Sequence, residues 1–311
     1  MDDTRIPLLI DTDPGVDDAL ALLMAFADPR HQVVGLTIAA GNVGLRHTVA
    51  NALKLCEVCA VDVPVFAGAD APLVHPARDA AYVHGRDGFG DTGYAPAARQ
   101  AEAEHAALAI LRLSHQYAGR LLLVALGPLT NLALALKLDP SLPQRVARCV
   151  VMGAAVTAHG NITPAAEFNI AFDPEAAHVV FTSFSRIELV DWEAVLAHGV
   201  PHVAVERWLA VDSPRARFYA AISAHTRAWS RAGRGEHWHA ADALAMARAL
   251  QPQGVLESVT RPLAVEVAGL HTRGATVVDW NRQTGLPDNV DILLRYQQAR
   301  FEAMLESALR G

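Results

Sequence analysis

The chain has 311 residues, 52% of them hydrophobic and 19% charged, a balance that excludes a disordered polymer and suits a sheet buried on both faces. Its net charge of −7 argues against nucleic-acid or anionic-membrane partners and leaves small neutral or cation-assisted ligands. Three cysteines, an odd number, do not make a disulfide framework in a chain of this size.

Met1 to Arg5 has neither the basic stretch nor the apolar core of a signal peptide, and no uncharged run is long enough to span a bilayer. A soluble, cytoplasmic protein is therefore expected. Ile6 to Ile10 reads as a fully buried strand. Directly after it comes Asp11-Thr12-Asp13-Pro14-Gly15-Val16-Asp17-Asp18, a Pro-Gly turn and then the acidic first turn of a helix. Two adjacent carboxylates near 4 Å repel by about 4 kcal/mol at an effective dielectric of about 20, so a convergent cluster of this density calls for a hard cation. Complementing the helix dipole explains Asp17 and Asp18 but leaves Asp11 and Asp13 without a reason.

Further strands are expected at Val33 to Ala39, Val63 to Phe66, Leu121 to Leu126, Ala147 to Met152, Ile187 to Val190 and Leu263 to Val267, alternating with helices such as Thr48 to Cys59 and Glu102 to Tyr117. Cys56 and Cys59 fall late in a helical pattern, where packing explains them better than redox chemistry. This alternation predicts an α/β fold with a mainly parallel, Rossmann-like open sheet and helices on both faces. Ser213-Pro214 opens a helix that Gly233-Arg234-Gly235 stops, and another follows from Asp242. The expected organisation is one domain over 1–311 with a helical insertion at about 201–250. The polar punctuation Ala40-Gly41-Asn42, Gly127-Pro128-Leu129-Thr130-Asn131 and Gly153 follows three of the strands and should gather on one rim with Asp11 and Asp13, where open parallel sheets bind ligands.

Taken in order, Asp11 to Ala19, Ala40 to Val43, Gly127 to Asn131 and Ala165-Ala166-Glu167-Phe168-Asn169 resemble the motifs of the inosine-uridine preferring nucleoside hydrolase family. The resemblance runs roughly from Ile6 to Asp291. It implies calcium-dependent hydrolysis of ribonucleosides by a homodimer or homotetramer, and places roles residue by residue. Asp13 matches the general base that also touches calcium. Asp18, Asp242 and the backbone carbonyl of Thr130 match further calcium ligands, and Asn42 a polar residue beside the metal and its water. Asp17 and Asn169 match residues on the ribose 2′ and 3′ hydroxyls, Asn161 and Glu167 those on the 5′ hydroxyl, and Met152 one packed near the sugar. An all-oxygen ligand set of this kind suits calcium.

The chain departs from the family before the last metal aspartate, where Ala241 stands in place of a common histidine. His84, in the Gly-rich run Val83 to Gly88, matches a second histidine near the base, with His239 and His237 as local substitutes in activating the leaving group. Trp238 offers stacking on the base instead. Two other readings stay open. Asp11-x-Asp13 after a strand also suits a haloacid-dehalogenase-like phosphohydrolase, although Gly15 stands where that pattern expects Thr or Val. The missing histidine also leaves room for a non-catalytic ribose or nucleoside binding protein.

Overall fold

The computed structural model describes residues 4–311. In chain order its strands are β1 (Ile6–Thr12), β2 (His31–Ile38), β3 (Val65–Ala67), β4 (Leu121–Ala125), β5 (Val146–Met152), β6 (Ile187–Val190), β7 (Val200–Pro201), β8 (His237–Trp238), β9 (Val255–Arg261), β10 (Leu263–Val265), β11 (Thr276–Val278) and β12 (Val290–Tyr296). The helices are α1 (Val16–Ala27), α2 (Leu45–Val58), α3 (Ala81–His84), α4 (Ala106–Gln116), α5 (Thr130–Leu138), α6 (Phe168–Phe172), α7 (Pro174–Ser183), α8 (Trp192–Ala197), α9 (His202–Leu209), α10 (Pro214–Arg234), α11 (Ala241–Leu250) and α12 (Gln298–Arg310).

Eight strands form one sheet in the order β3-β2-β1-β4-β5-β6-β12-β9. All neighbours are parallel except β9, which runs antiparallel to β12 at the edge. The chain winds outward from β1 through β2 to β3, then returns to β4 on the other side of β1. That reversal makes β1/β4 the switch point, whose carboxyl-end crevice is where such sheets take ligands.

Successive strand residues alternate between two cores, as a period of two requires. Leu8, Ile10, Leu122, Val124, Val150 and Met152 face one layer, built from α1, α2 and α10 to α12. Leu9, Leu121, Leu123, Ala125, Cys149 and Val151 face the other, built chiefly from α4, α5 and α7. With both faces covered, the strands read as near-continuous apolar runs.

The expected α/β architecture is present, with three differences. Leu263 to Val265 pairs only with β11 in a separate antiparallel ribbon, so it is not a strand of the main sheet. The last two strands of that sheet, β12 and β9, are instead broken by charged side chains such as Asp291, Arg295 and Glu257, which hides them from an apolar-run criterion. Within the segment expected as an insertion, every residue of α11 is buried and packs on α1 and β5. That helix belongs to the sheet's own helical layer. Burial pushes the thiols of Cys56 and Cys59 up to about 12 and about 11, in keeping with packing.

Candidate active site

Past the last residue of β1, the Asp13 carboxylate enters a gap between two loops. Asn42 N–H donates to its Oδ2 at 2.6 Å. A Cβ at Gly41 would run into that oxygen and one at Gly127 into Oδ1. Glycine at both positions therefore follows from the close approach of the β2 and β4 loops to one carboxylate. Asp18 is held from the first turn of α1: its Oδ2 accepts from Gly15 N–H at 3.0 Å and from the Asn42 side-chain amide at 2.9 Å, and its Oδ1 from the Thr12 hydroxyl. Asp11 points elsewhere, accepting from Thr37 at 2.7 Å and Asn131 at 2.9 Å. The carbonyl oxygen of the Asn131 amide in turn accepts from Ala69 N–H at 2.8 Å, so this asparagine ties β1 to the loop after β3.

The tightest grouping of carboxylates is Asp17, Asp18 and Asp242, whose ligand oxygens all lie within 4.8 Å of one another. Asp242 comes from the first turn of α11, which packs against α1, the helix that carries Asp17 and Asp18. Burial above all, then the charge of Asp18, holds the carboxyls of Asp13 and Asp242 well above the usual carboxylate range. Burial also raises Asp17 and Asp18. Oδ1 of Asp17 has no hydrogen-bond partner among the described residues. Mutual repulsion, an unpartnered buried oxygen and an all-oxygen donor set fit a hard cation such as calcium. Thr130 sits in the first turn of α5 with its hydroxyl bound to Asp173 at 2.7 Å, which leaves its main chain as the group able to serve such an ion.

A cleft opens over this cluster. Its inner wall carries Asp17, Asn42, Met152, Asn161, Glu167, Asn169 and Asp242. Glu167 caps α6, accepting from Asn169 N–H at 3.0 Å, Ile170 N–H at 3.3 Å and Ala154 N–H at 3.1 Å, and burial pushes its carboxyl up to about 7. Asn169 is fixed by donation to the Leu126 carbonyl at 2.7 Å and the Met152 carbonyl at 3.3 Å. Asn161 accepts from Phe168 N–H at 2.8 Å.

The outer wall comes from α3, α8, α10 and β8. His84 Nδ1 accepts from Val16 N–H at 3.1 Å, which fixes a neutral ring with its proton on Nε2. Burial first pushes His84 and His239 down to about 4. Both line the cleft, as do Trp238 and Ala241, while His237 is exposed and takes no part in the lining. Among the lining residues without a counterpart in the motif reading are Tyr82, Trp192, Trp229 and Arg234. Tyr82 lies on α3, Trp192 on α8, and Trp229 and Arg234 on α10, with no shared spacing, and only the glycine-flanked end of α10 marked one of them.

A model of the inosine-uridine preferring nucleoside hydrolase family matches residues 8–303. The chain belongs to this family. It is 39% identical over 302 residues to the non-specific ribonucleoside hydrolase RihC of Klebsiella pneumoniae, covering 96% of each chain. It is 46% identical over 185 residues to uridine nucleosidase 1 of Arabidopsis thaliana, a match that covers 59% of this chain and 55% of that relative. Among solved structures, a plant nucleoside hydrolase, PpNRh1, superposes with a TM-score of 0.93 at 29% identity, covering 99% of both chains. The family assignment rules out the phosphohydrolase reading of Asp11-x-Asp13. No helix of the described residues is long and apolar enough to cross a membrane.

Proposed function

We infer that the protein hydrolyses the N-glycosidic bond of ribonucleosides, with calcium bound, to give ribose and the free base. What carries this reading is the convergence of the Asp17, Asp18 and Asp242 carboxylates beside Asp13 at the sugar end of the cleft, in a chain of this family. Asp13, Asp18, Asp242 and the Thr130 main-chain oxygen would hold the ion, with Asp17 near enough to Asp18 and Asp242 to share the centre. The ion supplies positive charge that orients sugar hydroxyls and lowers the pKa of a water.

The rest is done by the protein's own side chains. Asp13 takes the proton of the attacking water as general base. Asn42 keeps its Oδ2 in place through the 2.6 Å main-chain hydrogen bond. Asp17 and Asn169 hold the 2′ and 3′ hydroxyls, while Asn161 and Glu167 close on the 5′ hydroxyl. As the C1′–N bond lengthens, positive charge grows on the sugar ring, and the carboxylates of Asp17 and Glu167 face it.

Released reducing sugar from inosine and uridine, measured with calcium, is the direct assay. Chelation should remove the activity and calcium restore it. A 2′-deoxynucleoside loses a hydroxyl that buried groups need and should fall far below its ribo counterpart, and a 5′-monophosphate would meet the carboxylate of Glu167. Nucleoside binding without sugar release would instead identify a binding protein, and equal turnover of uridine and deoxyuridine would overturn the sugar contacts.

A further inference from the structure

Arg234 is the only arginine or lysine lining the cleft among the described residues. It ends α10, and Gly235, with φ of +84°, turns the chain away immediately after it. Its guanidinium carbon lies 4.7 Å from the ring centre of Trp192 and 4.8 Å from that of Trp229, within cation–π range of both. Among the described residues no carboxylate lies within ion-pair distance of it and no acceptor takes its N–H groups. The opposing charge that acts on it most strongly is that of Asp17, at the sugar end of the same cleft. An arginine that only complemented a helix C-terminus would need neither indole and would not face a cleft. Two indole faces fix a cation in place without neutralising it, so its donors remain free for a ligand.

Apart from Arg234, the ionisable side chains lining this end are Tyr82, His84 and His239, none of which is a standing cation: burial pushes His239 down to about 4. Ala241 brings no titratable group, and His84 is held neutral by the Val16 N–H at its Nδ1. The cation therefore stands where the leaving group must go, opposite the carboxylates that favour a positive sugar.

Resting on the hydrolase reading above, we propose that Arg234, clamped between Trp192 and Trp229, is the catalytic residue for base departure: it receives the base as an anion through N–H hydrogen bonds and charge rather than by proton transfer. The C1′–N bond breaks with its electron pair staying on the base nitrogen. The water oxygen bonds to C1′, and the water's proton passes to Asp13. The anion leaves against the guanidinium and is protonated by solvent once released, while Asp13 returns its proton to solvent. A donor-only guanidinium selects keto bases such as uracil and hypoxanthine, whose anions spread onto a carbonyl oxygen. Adenine, which presents its own amino donor, is disfavoured.

The test uses the calcium-loaded full chain and Arg234→Gln, Arg234→Lys and Arg234→Ala against uridine, inosine and p-nitrophenyl riboside, whose leaving group departs as a stable anion unaided. Arg234→Gln should lower kcat/KM for both nucleosides by about 10² to 10³, as removal of a preorganised transition-state donor does, while sparing the aryl riboside. Lysine should recover part of the loss. Added guanidinium should restore uridine turnover by Arg234→Ala but leave its aryl riboside rate alone, a rescue that a purely structural arginine would not give. Equal losses on all three substrates, or no rescue, would overturn the role of Arg234. A wild-type protein inert on all three would refute the hydrolase reading itself, and the role with it.

Discussion

At the sugar end of the cleft, the buried carboxylates are fixed by main-chain groups: Asp13 by Asn42 N–H, Asp18 by Gly15 N–H, Glu167 by the amides of Ala154, Asn169 and Ile170. At the base end the side chains are large, aromatic or basic, and hold one another. Arg234 lies between two tryptophans, Tyr82 meets Trp229 edge-on at 6.1 Å, and Thr226 ties α10 to the Val83 carbonyl at 2.8 Å. The sugar end is anchored to strand ends. The base end depends on how α3, α8, α10 and β8 pack beyond the sheet, so its chemistry can differ while the sugar chemistry stays.

The largest effect that sharpens this contrast is Asp13→Asn. With the proton acceptor removed, turnover of every substrate, aryl riboside included, should fall by about 10² to 10⁴. Unchanged circular dichroism would locate the loss in chemistry, and near-normal turnover would remove Asp13 from the mechanism.

Gly127→Ala probes the same carboxylate without touching it. A methyl group there displaces Asp13 Oδ1, and a shift near 1 Å in a reacting group costs about 10²-fold in rate. The loss should again be the same for nucleosides and aryl riboside. Crystallography of the variant showing Asp13 unmoved, with activity intact, would mean that the glycine serves only the turn.

Trp229→Leu acts at the other end and should separate the substrates. Loss of one indole face from Arg234 removes about 1–2 kcal/mol of cation–π attraction, or about tenfold in kcat/KM for uridine. The aryl riboside rate should stay near wild type. A uniform decrease would show that the two ends are mechanically linked.

The smallest effect concerns Asp191, the N-cap of α8, whose Oδ1 accepts from Ala194 N–H at 2.8 Å and whose Oδ2 has no partner among the described residues. Burial first, then the charge of Glu193, pushes its carboxyl up to about 8. The folded state therefore keeps a proton that the unfolded state releases above about 4, and stability should decline as pH rises from about 4 to about 8. Asparagine caps a helix as well as aspartate and carries no charge. Asp191→Asn should thus raise Tm at pH 8, leave it near wild type at pH 4, and leave the cleft's substrate preference unchanged. A Tm difference independent of pH would show that Asp191 ionises freely.

Much of this was legible in the order of the residues. Apolar runs of strand length, alternating with helical patterns, imply a parallel sheet because only that arrangement buries both faces of each strand. The dense carboxylates of 11–18 announced a cation because such charge cannot be buried alone. The charged strands β9 and β12 escaped because one lies at the sheet's edge and both break the apolar pattern. Nothing in the spacing of Tyr82, Trp192, Trp229 and Arg234 joined them, since side chains that meet across three elements leave no period in the sequence.

The sequence by itself therefore determined the architecture, the acidic identity of the sugar site and the glycines that admit its carboxylates, all of them properties of short segments with local physical demands. Only the tertiary structure decided that Asp17, rather than Asp13, groups with Asp18 and Asp242, that Asp11 faces Thr37 and Asn131 instead, and that Arg234 lines the cleft. Those outcomes depend on how side chains from distant elements are oriented once the helices pack on the sheet, and no local pattern encodes that orientation.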